Sequence, residues 1–331
     1  MKALVYTGPE QVRFTDVPDP IPEEGEALLK VDAVGICGSD MHAFLGHDDR
    51  RPAPLILGHE VAGTIAEGLG AGDRVVVNPL VTCGDCDHCR EGHTNLCPSR
   101  EIISMPPREG GFAGLLRMPR KNLHTIPVDF PAEKAALTEP IACGLHAIKL
   151  AEKACRKPLA SCRAVVLGGG AIGLGAALVL VANGIREVFI AETNAARHAS
   201  LRKAGSFSIF NPIEYDGPAP GSVEIVVDAF GGAVTRKAAS ALVSPGGVIV
   251  HIGLAEAEGG LDIRRMTLQE ITFIGTYTYT ADDFGETLAA MIEGKLGSLD
   301  WAEARPLQEG QQAFIDVLEG RAAAPKLILR P

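Results

Sequence analysis

At 331 residues and 46% hydrophobic, the chain is long enough for two domains with substantial cores. Its 41 acidic against 31 basic residues give a formal charge of -10, which opposes any role that requires neutralising phosphates, so nucleic acid is not expected as a partner. The first residues, MKALVYTGPEQVRFTD, lack a charged region followed by an apolar core; this implies a cytoplasmic protein, where structural disulfides are rare, and leaves the eight cysteines to be explained otherwise.

Up to about residue 130 the chain reads as β-rich. Short apolar runs at Ala3 to Tyr6, Ala27 to Val34 and Arg74 to Val77 are broken by proline and by Gly58, Gly63, Gly68, Gly70 and Gly72, too closely for long helices. A small barrel-like domain fits. Within it, Cys37 in GICGSDMH and His59-Glu60 in LGHE offer a thiolate, an imidazole and a carboxylate, the mixed donor set of catalytic zinc. Each alone has an ordinary reading, Cys37 as a core thiol and His59-Glu60 as a surface pair. Together with Glu139, in LTEP, they make a candidate three-ligand site with a carboxylate or water as fourth; by spacing alone, Glu139 is also an exposed acid near a helix start.

Next comes Cys83-x2-Cys86-x2-Cys89-x7-Cys97. Four thiolates make the closed tetrahedral shell of a structural zinc, with no position left for substrate. His88 and His93 share the loop, but the cysteines already fill the shell.

Beyond Glu139 the pattern changes to alternating strand and helix. Ala164 to Leu167, Val188 to Ala191, Ser206 to Phe210, Val223 to Val227, Val248 to Ile252 and Ile271 to Ile274 read as buried strands of a doubly wound parallel sheet. The uncharged stretch Ala164 to Ile185 has the length of a membrane span, yet its early glycines read as strand, tight turn and buried helix, and no membrane association is expected. That turn is Gly168-x-Gly170-Ala171-Ile172-Gly173, a dinucleotide fingerprint in its required context, with a helix N-terminus aimed at the pyrophosphate. Glu192 ends the next strand, where it either accepts both ribose hydroxyls and repels a 2′-phosphate or is a solvated strand end; Arg197 nearby could offer such a phosphate a cation. The link Asn211 to Gly221, NPIEYDGPAPG, is too short for a crossover helix.

In this order the motifs resemble the zinc-dependent branch of the medium-chain dehydrogenase/reductase family (alcohol dehydrogenase-like), nearest to its polyol (sorbitol) and threonine dehydrogenases. The resemblance spans essentially the whole chain and includes Cys37-Gly38-Ser39-Asp40, Gly58-His59-Glu60-Val61-Ala62-Gly63, Gly72-Asp73-Arg74-Val75, Gly110-Gly111-Phe112-Ala113 and Glu139-Pro140. It implies an α/β protein with a GroES-like β-rich catalytic domain over residues 1–139 and 276–331 and a Rossmann cofactor domain over 140–275. It also implies two zinc ions per chain, a catalytic one at Cys37, His59, Glu60 and Glu139 and a structural one at Cys83, Cys86, Cys89 and Cys97. NAD is expected in preference to NADP, and the assembly is expected to be a homo-oligomer, dimer or tetramer.

By the same resemblance Ser39 matches the hydroxyl beside the reacting alcohol, His42 the far end of a proton relay, and Asp40 the acid that orients the ligand histidine, here His59. The implied reaction moves a hydride between NAD and a small secondary alcohol or polyol. A phosphorylated polyol or sugar acid is the alternative substrate class, and a catalytically inactive nucleotide-binding protein is the alternative of another kind. Sorbitol dehydrogenases carry an arginine before a tyrosine after the sixth strand, whereas this chain has Thr278 before Tyr279, so a vicinal diol or sugar alcohol other than sorbitol is expected. The loop Phe44 to Pro52 either presents His47, Arg50 or Arg51 to a polar substrate or is a solvated turn.

Overall fold

The computed structural model of the protein describes residues 1–214 and 217–331; Tyr215 and Asp216, in the short link after the third strand of the parallel sheet, lie outside the described residues. The chain divides into two compact units, Met1–Glu139 with Ala302–Pro331, and Pro140–Trp301.

The first unit is built on the strand Glu26–Gly35, whose alternate residues are buried on both faces because it lies in the middle of its sheet. It pairs antiparallel with Glu60–Glu67, Leu115–Pro119 and Lys326–Arg330. The sheet order from edge to edge is Leu123–Thr125, Arg74–Val77, Glu60–Glu67, Glu26–Gly35, Lys326–Arg330 and Ala302–Pro306, with Leu115–Pro119 pairing to the side of Glu26–Gly35. The β-rich stretch also holds short helices, and one of them, Gly38–Phe44, follows the central strand directly. Its last residue anchors it: the ring of Phe44 lies 4.9 Å from Phe314, which in turn meets Phe112 edge-on at 5.8 Å, a cluster that joins the two chain segments of this unit.

The second unit holds a parallel sheet in the order Ser208–Phe210, Glu187–Ala191, Arg163–Leu167, Val223–Asp228, Val243–His251 and Thr272–Gly275. The order reverses direction on either side of Arg163–Leu167, which makes the carboxyl end of that strand a topological switch point, the place where such sheets bind ligands. The helix Ala171–Ala182 is buried on nearly all sides, and a Cβ at Gly144 on the neighbouring helix would stand 2.6 Å from the backbone nitrogen of Ala176. That close helix packing, not a bilayer, accounts for the uncharged stretch. Among the described residues no helix is long and apolar enough to cross a membrane.

Residues 276–301 pack with the second unit, which ends at Trp301 rather than at the 275 implied by resemblance. Their anchor is Asp283, at the start of the helix Ala281–Ile292, which bonds His146 and Lys149 of the helix Thr138–Ala154, both at 2.7 Å.

Candidate active site and thiol lobe

Strand register assembles the first site. Gly35 on the central strand pairs with Glu60 on one side and Ile328 on the other, so the end of Glu26–Gly35 brings together Cys37, just beyond it, the His59-Glu60 pair, and the start of Lys326–Arg330. Among the described residues the ligand atoms of Cys37, His59 and Glu60 all lie within 4.8 Å of one another. Glu60 is fully buried; Oε1 accepts from Lys326 Nζ at 2.6 Å, while Oε2 has no hydrogen-bond partner. Lys326 Nζ also donates to the carbonyl of Ile36 at 2.8 Å. Lys326 was not foreseen, and no spacing in KLILR marks it.

Asp40 is buried in the first turn of Gly38–Phe44. It accepts the backbone N–H groups of Cys37 at 3.0 Å and Gly58 at 3.3 Å, and its Oδ1 lies 3.4 Å from Nδ1 of His59. It thus ties both ligand-bearing segments together and leaves Nε2 of His59, which faces Ser39 Oγ at 3.5 Å, as the outward nitrogen. Ser104 Oγ adds a contact to Nδ1 at 3.4 Å. Burial opposes charge on His59, yet the Asp40 carboxylate and the Cys37 sulfur hold its pKa well above the ordinary imidazole value. Burial likewise opposes charge on Lys326, and Glu60 and Cys37 keep its pKa above that of an ordinary lysine. The buried carboxylates Asp40 and Glu60 converge with the Cys37 thiol around His59, and Lys326 pairs with Glu60 through Oε1 alone. A divalent ion at Cys37, His59 and the unpartnered Oε2 of Glu60 fits that orphaned carboxylate oxygen and the donor chemistry of zinc.

Glu139 is buried at the start of the helix Thr138–Ala154 and lies in electrostatic reach of Lys326, but its carboxylate is outside the group within 4.8 Å. His42 lies one turn after Ser39 on the same helix, so the two share a face. Arg51 is not available to a substrate. It is buried, with Nε donating to the carbonyl of Ser104 at 3.0 Å, Nη1 to that of Ser39 at 3.3 Å, and an ion pair to Asp48 at 2.6 Å. It holds the two serines that flank His59. Arg50 is exposed and pairs with the same Asp48 at 2.8 Å, while His47 is exposed in that loop.

The four lobe cysteines form a second group within 4.8 Å. A turn of helix at Asp87–Arg90 and a tighter turn at Thr94–Leu96 fold the loop back, and a short ladder between Leu80–Val81 and Glu101–Ile102 closes its base. Asn122 pins that base through Nδ2 to the carbonyls of Asn78 and Leu80, at 2.9 and 2.8 Å. Cys83 Sγ lies 3.5 Å from Cys97 Sγ and 3.9 Å from Cys89 Sγ. Backbone N–H groups of Asp85 and Cys86 bring the Cys83 thiol down to about 6. A backbone N–H of Cys89 favours the Cys86 thiolate, but desolvation and the neighbouring thiols push that group up to about 12. Thiols crowded in this way lose their protons together to a metal.

In the second unit the fingerprint sits between the strand Arg163–Leu167 and the helix Ala171–Ala182. Gly168 has φ +105, and a Cβ at Gly173 would stand 1.8 Å from the Gly168 carbonyl oxygen, so the tight turn and the close helix approach both require glycine. At the helix N-cap, a Cβ on Gly170 would meet nothing within 4 Å, and no side chain caps the first turn, whose N–H groups have no partner within the helix. Glu192 Oε2 accepts from Gly169 N at 3.0 Å and Oε1 from Asn194 N at 2.7 Å, which aims the carboxylate at the glycine loop. Arg197 Nη1 lies 3.6 Å from Glu192 Oε2.

The family model described as "Alcohol dehydrogenase GroES-like domain" matches residues 23–128, and that described as "Zinc-binding dehydrogenase" matches residues 171–293. L-galactonate-5-dehydrogenase of Escherichia coli (strain K12) is 33% identical over 311 residues, covering 89% of this chain and 88% of the relative. Sorbitol dehydrogenase of Bacillus subtilis (strain 168) is 32% identical, covering 100% and 97%. Among solved structures, galactitol-1-phosphate dehydrogenase from Escherichia coli matches with a TM-score of 0.86 at 26% identity, covering 100% of both chains.

Proposed function

From the premise that the chain belongs to the zinc-type medium-chain alcohol and polyol dehydrogenase family, we propose that it oxidises a secondary alcohol or polyol to the ketone with NAD as hydride acceptor. The observation that carries this reading is the buried group Cys37, His59 and Glu60 with its unpartnered carboxylate oxygen. Those three residues would hold the catalytic zinc, Cys83, Cys86, Cys89 and Cys97 a structural one, and the glycine turn the dinucleotide. When bound, zinc supplies Lewis-acid polarisation of the alcohol oxygen and the dinucleotide supplies the hydride acceptor.

The chain's own residues do the rest. Asp40 and Ser104 fix the ring of His59, and Arg51 fixes the backbone of both flanking serines. Ser39 Oγ, beside Nε2 of His59, takes the proton of the alcohol, and His42 on the same helix face is its further acceptor. Glu139 stands in reserve as a fourth ligand. Glu192 favours NAD, since a 2′-phosphate would meet its carboxylate; Arg197 is already paired with that carboxylate, which reduces its value as a phosphate site.

The substrate proposed is a neutral vicinal diol or sugar alcohol. Arg51 is committed to Ser39, Ser104 and Asp48, and Arg50 to Asp48, so neither recommends an anionic substrate. A sugar acid is the second reading, favoured by the 33% identity to L-galactonate-5-dehydrogenase. Comparing kcat/KM for NAD reduction across C4 to C6 polyols, their sugar acids and phosphate esters, and simple secondary alcohols tests both readings. Polyols are expected to lead. A lead by simple alcohols sinks the polyol reading, and no turnover by any class sinks the dehydrogenase reading. For the cofactor, equal efficiency with NADP would remove the role given to Glu192, and Glu192→Ala is expected to narrow the preference for NAD.

A further inference from the structure

Two thiols outside both metal groups lie in contact. Cys155 follows the helix Thr138–Ala154, Cys162 precedes the strand Arg163–Leu167, and their Sγ atoms are 3.9 Å apart. The segment between them is held in place. Cys155 N donates to the carbonyl of Ala151 at 2.9 Å, Leu159–Ser161 form a tight turn, and Cys162 Sγ approaches the carbonyl of Pro158 at 3.5 Å. Glu224 pins both sides, accepting Lys157 Nζ at 2.8 Å and Arg163 N at 2.9 Å.

The two sulfurs differ in ways that suit sequential chemistry. Cys155 is half-buried and Cys162 is only 4% exposed. Lys157 brings its ammonium within electrostatic reach of both sulfurs. Burial, followed by the neighbouring Cys155, pushes the Cys162 thiol up to about 12, so Cys162 stays protonated while Cys155 is free. A disulfide requires the sulfurs to close by about 1.9 Å, within reach of a change in side-chain rotamer.

We propose that Cys155 and Cys162 form a reversible thiol–disulfide modification site that reacts with low-molecular-weight disulfides. The Cys155 thiolate bonds one sulfur of the incoming disulfide and expels the other as thiolate. The Cys162 sulfur then attacks that of Cys155, expelling the second small thiolate, which takes the proton that Cys162 gives up. Two protein thiols are oxidised to one disulfide, and one small disulfide is reduced to two thiols. Once Cys155 is capped it no longer opposes ionisation of Cys162, which promotes the second step. The product staples the end of one helix to the beginning of the strand that leads into the glycine turn. A half-buried attacking thiol beside a more sheltered resolving one is an arrangement that confers site-selective redox reactivity.

The test uses the purified holoenzyme, treated with glutathione disulfide and digested with trypsin without reductant. Arg156 lies between the thiols and Lys157 precedes a proline, so trypsin releases Ala154–Arg156 and Lys157–Arg163 as separate peptides. The expected result is these two peptides joined, two hydrogens lighter than their sum, separable by reductant, with zinc content unchanged. Cys162→Ser is expected to accumulate glutathione on Cys155, and Cys155→Ser to leave Cys162 unmodified. Accumulation of glutathione on Cys155 in the parent without joined peptides would overturn the proposal. So would joined peptides that form only after zinc loss or unfolding.

Discussion

Gly35 faces Glu60 across the central ladder, and a Cβ there would stand 1.9 Å from Glu60 Oε2. Gly35→Ala therefore forces the carboxylate away from Cys37 and His59. The expected outcome is loss of one zinc per chain by elemental analysis and a fall in kcat/KM of about 10- to 100-fold, the usual scale for disturbing a ligand's support. Parent-like zinc content and activity would remove Glu60 from the metal site. Lys326 acts on the same carboxylate from the other side. Lys326→Met leaves Glu60 buried without its ammonium, and breaking a buried pair on one side costs about 3–5 kcal/mol, to be read from denaturant unfolding. A loss below about 1 kcal/mol would mean that water reaches Glu60 in the variant.

Among the elements, the contact between Thr138–Ala154 and Ala281–Ile292 is electrostatic at its centre. Burial opposes ionisation of Asp283, yet His146, Lys149 and Thr280 hold its carboxyl well below the usual carboxylate range. A depressed pKa in the folded state means that the stabilisation is full above the unfolded value, about 3.9, and fades as pH falls through the folded one. Asp283→Asn is expected to cost about 3 kcal/mol near neutral pH, with the gap to the parent shrinking at about pH 3. Urea unfolding at both pH values checks this, and a gap independent of pH would assign the cost to packing. The thiol lobe behaves differently, since Cys83 is exposed, Cys86 and Cys89 are half-buried and, of the four, only Cys97 is buried. Its order should depend on metal. Cys89→Ser is expected to lose the lobe's zinc and expose the loop to protease while Cys37, His59 and Glu60 keep their ion; an unchanged digestion pattern would count against a structural zinc.

On the scale of the whole molecule, the first unit cannot be completed by the N-terminal segment alone. Phe314 fills the space between Phe44 and Phe112, and Lys326–Arg330 pairs with the central strand. A chain ending at Trp301 is expected to bind hydrophobic dye, lose catalytic zinc and show no turnover, while the parallel sheet of the second unit keeps its circular dichroism. An active, zinc-loaded truncation would show that Ala302–Pro331 is dispensable to the site.

The thiol lobe, the glycine turn and the alternation of buried strands were legible in the sequence because each is encoded locally. Cys83 to Cys97 span a single loop, Gly168 to Gly173 a single turn, and strands covered on both faces read as continuous apolar runs. The donors Cys37, His59 and Glu60 were legible as residue types but not, one by one, as a site. Only strand register could bring them together and add Lys326, 266 residues from Glu60, or commit Arg51 to two serine carbonyls instead of a substrate. The same holds for the end of the second unit at Trp301, which Asp283 decides through a contact 137 residues long. Local spacing specifies which chemistry a chain can perform. Which groups are buried beside it, and with what charge, depends on pairings between distant segments that no local pattern records.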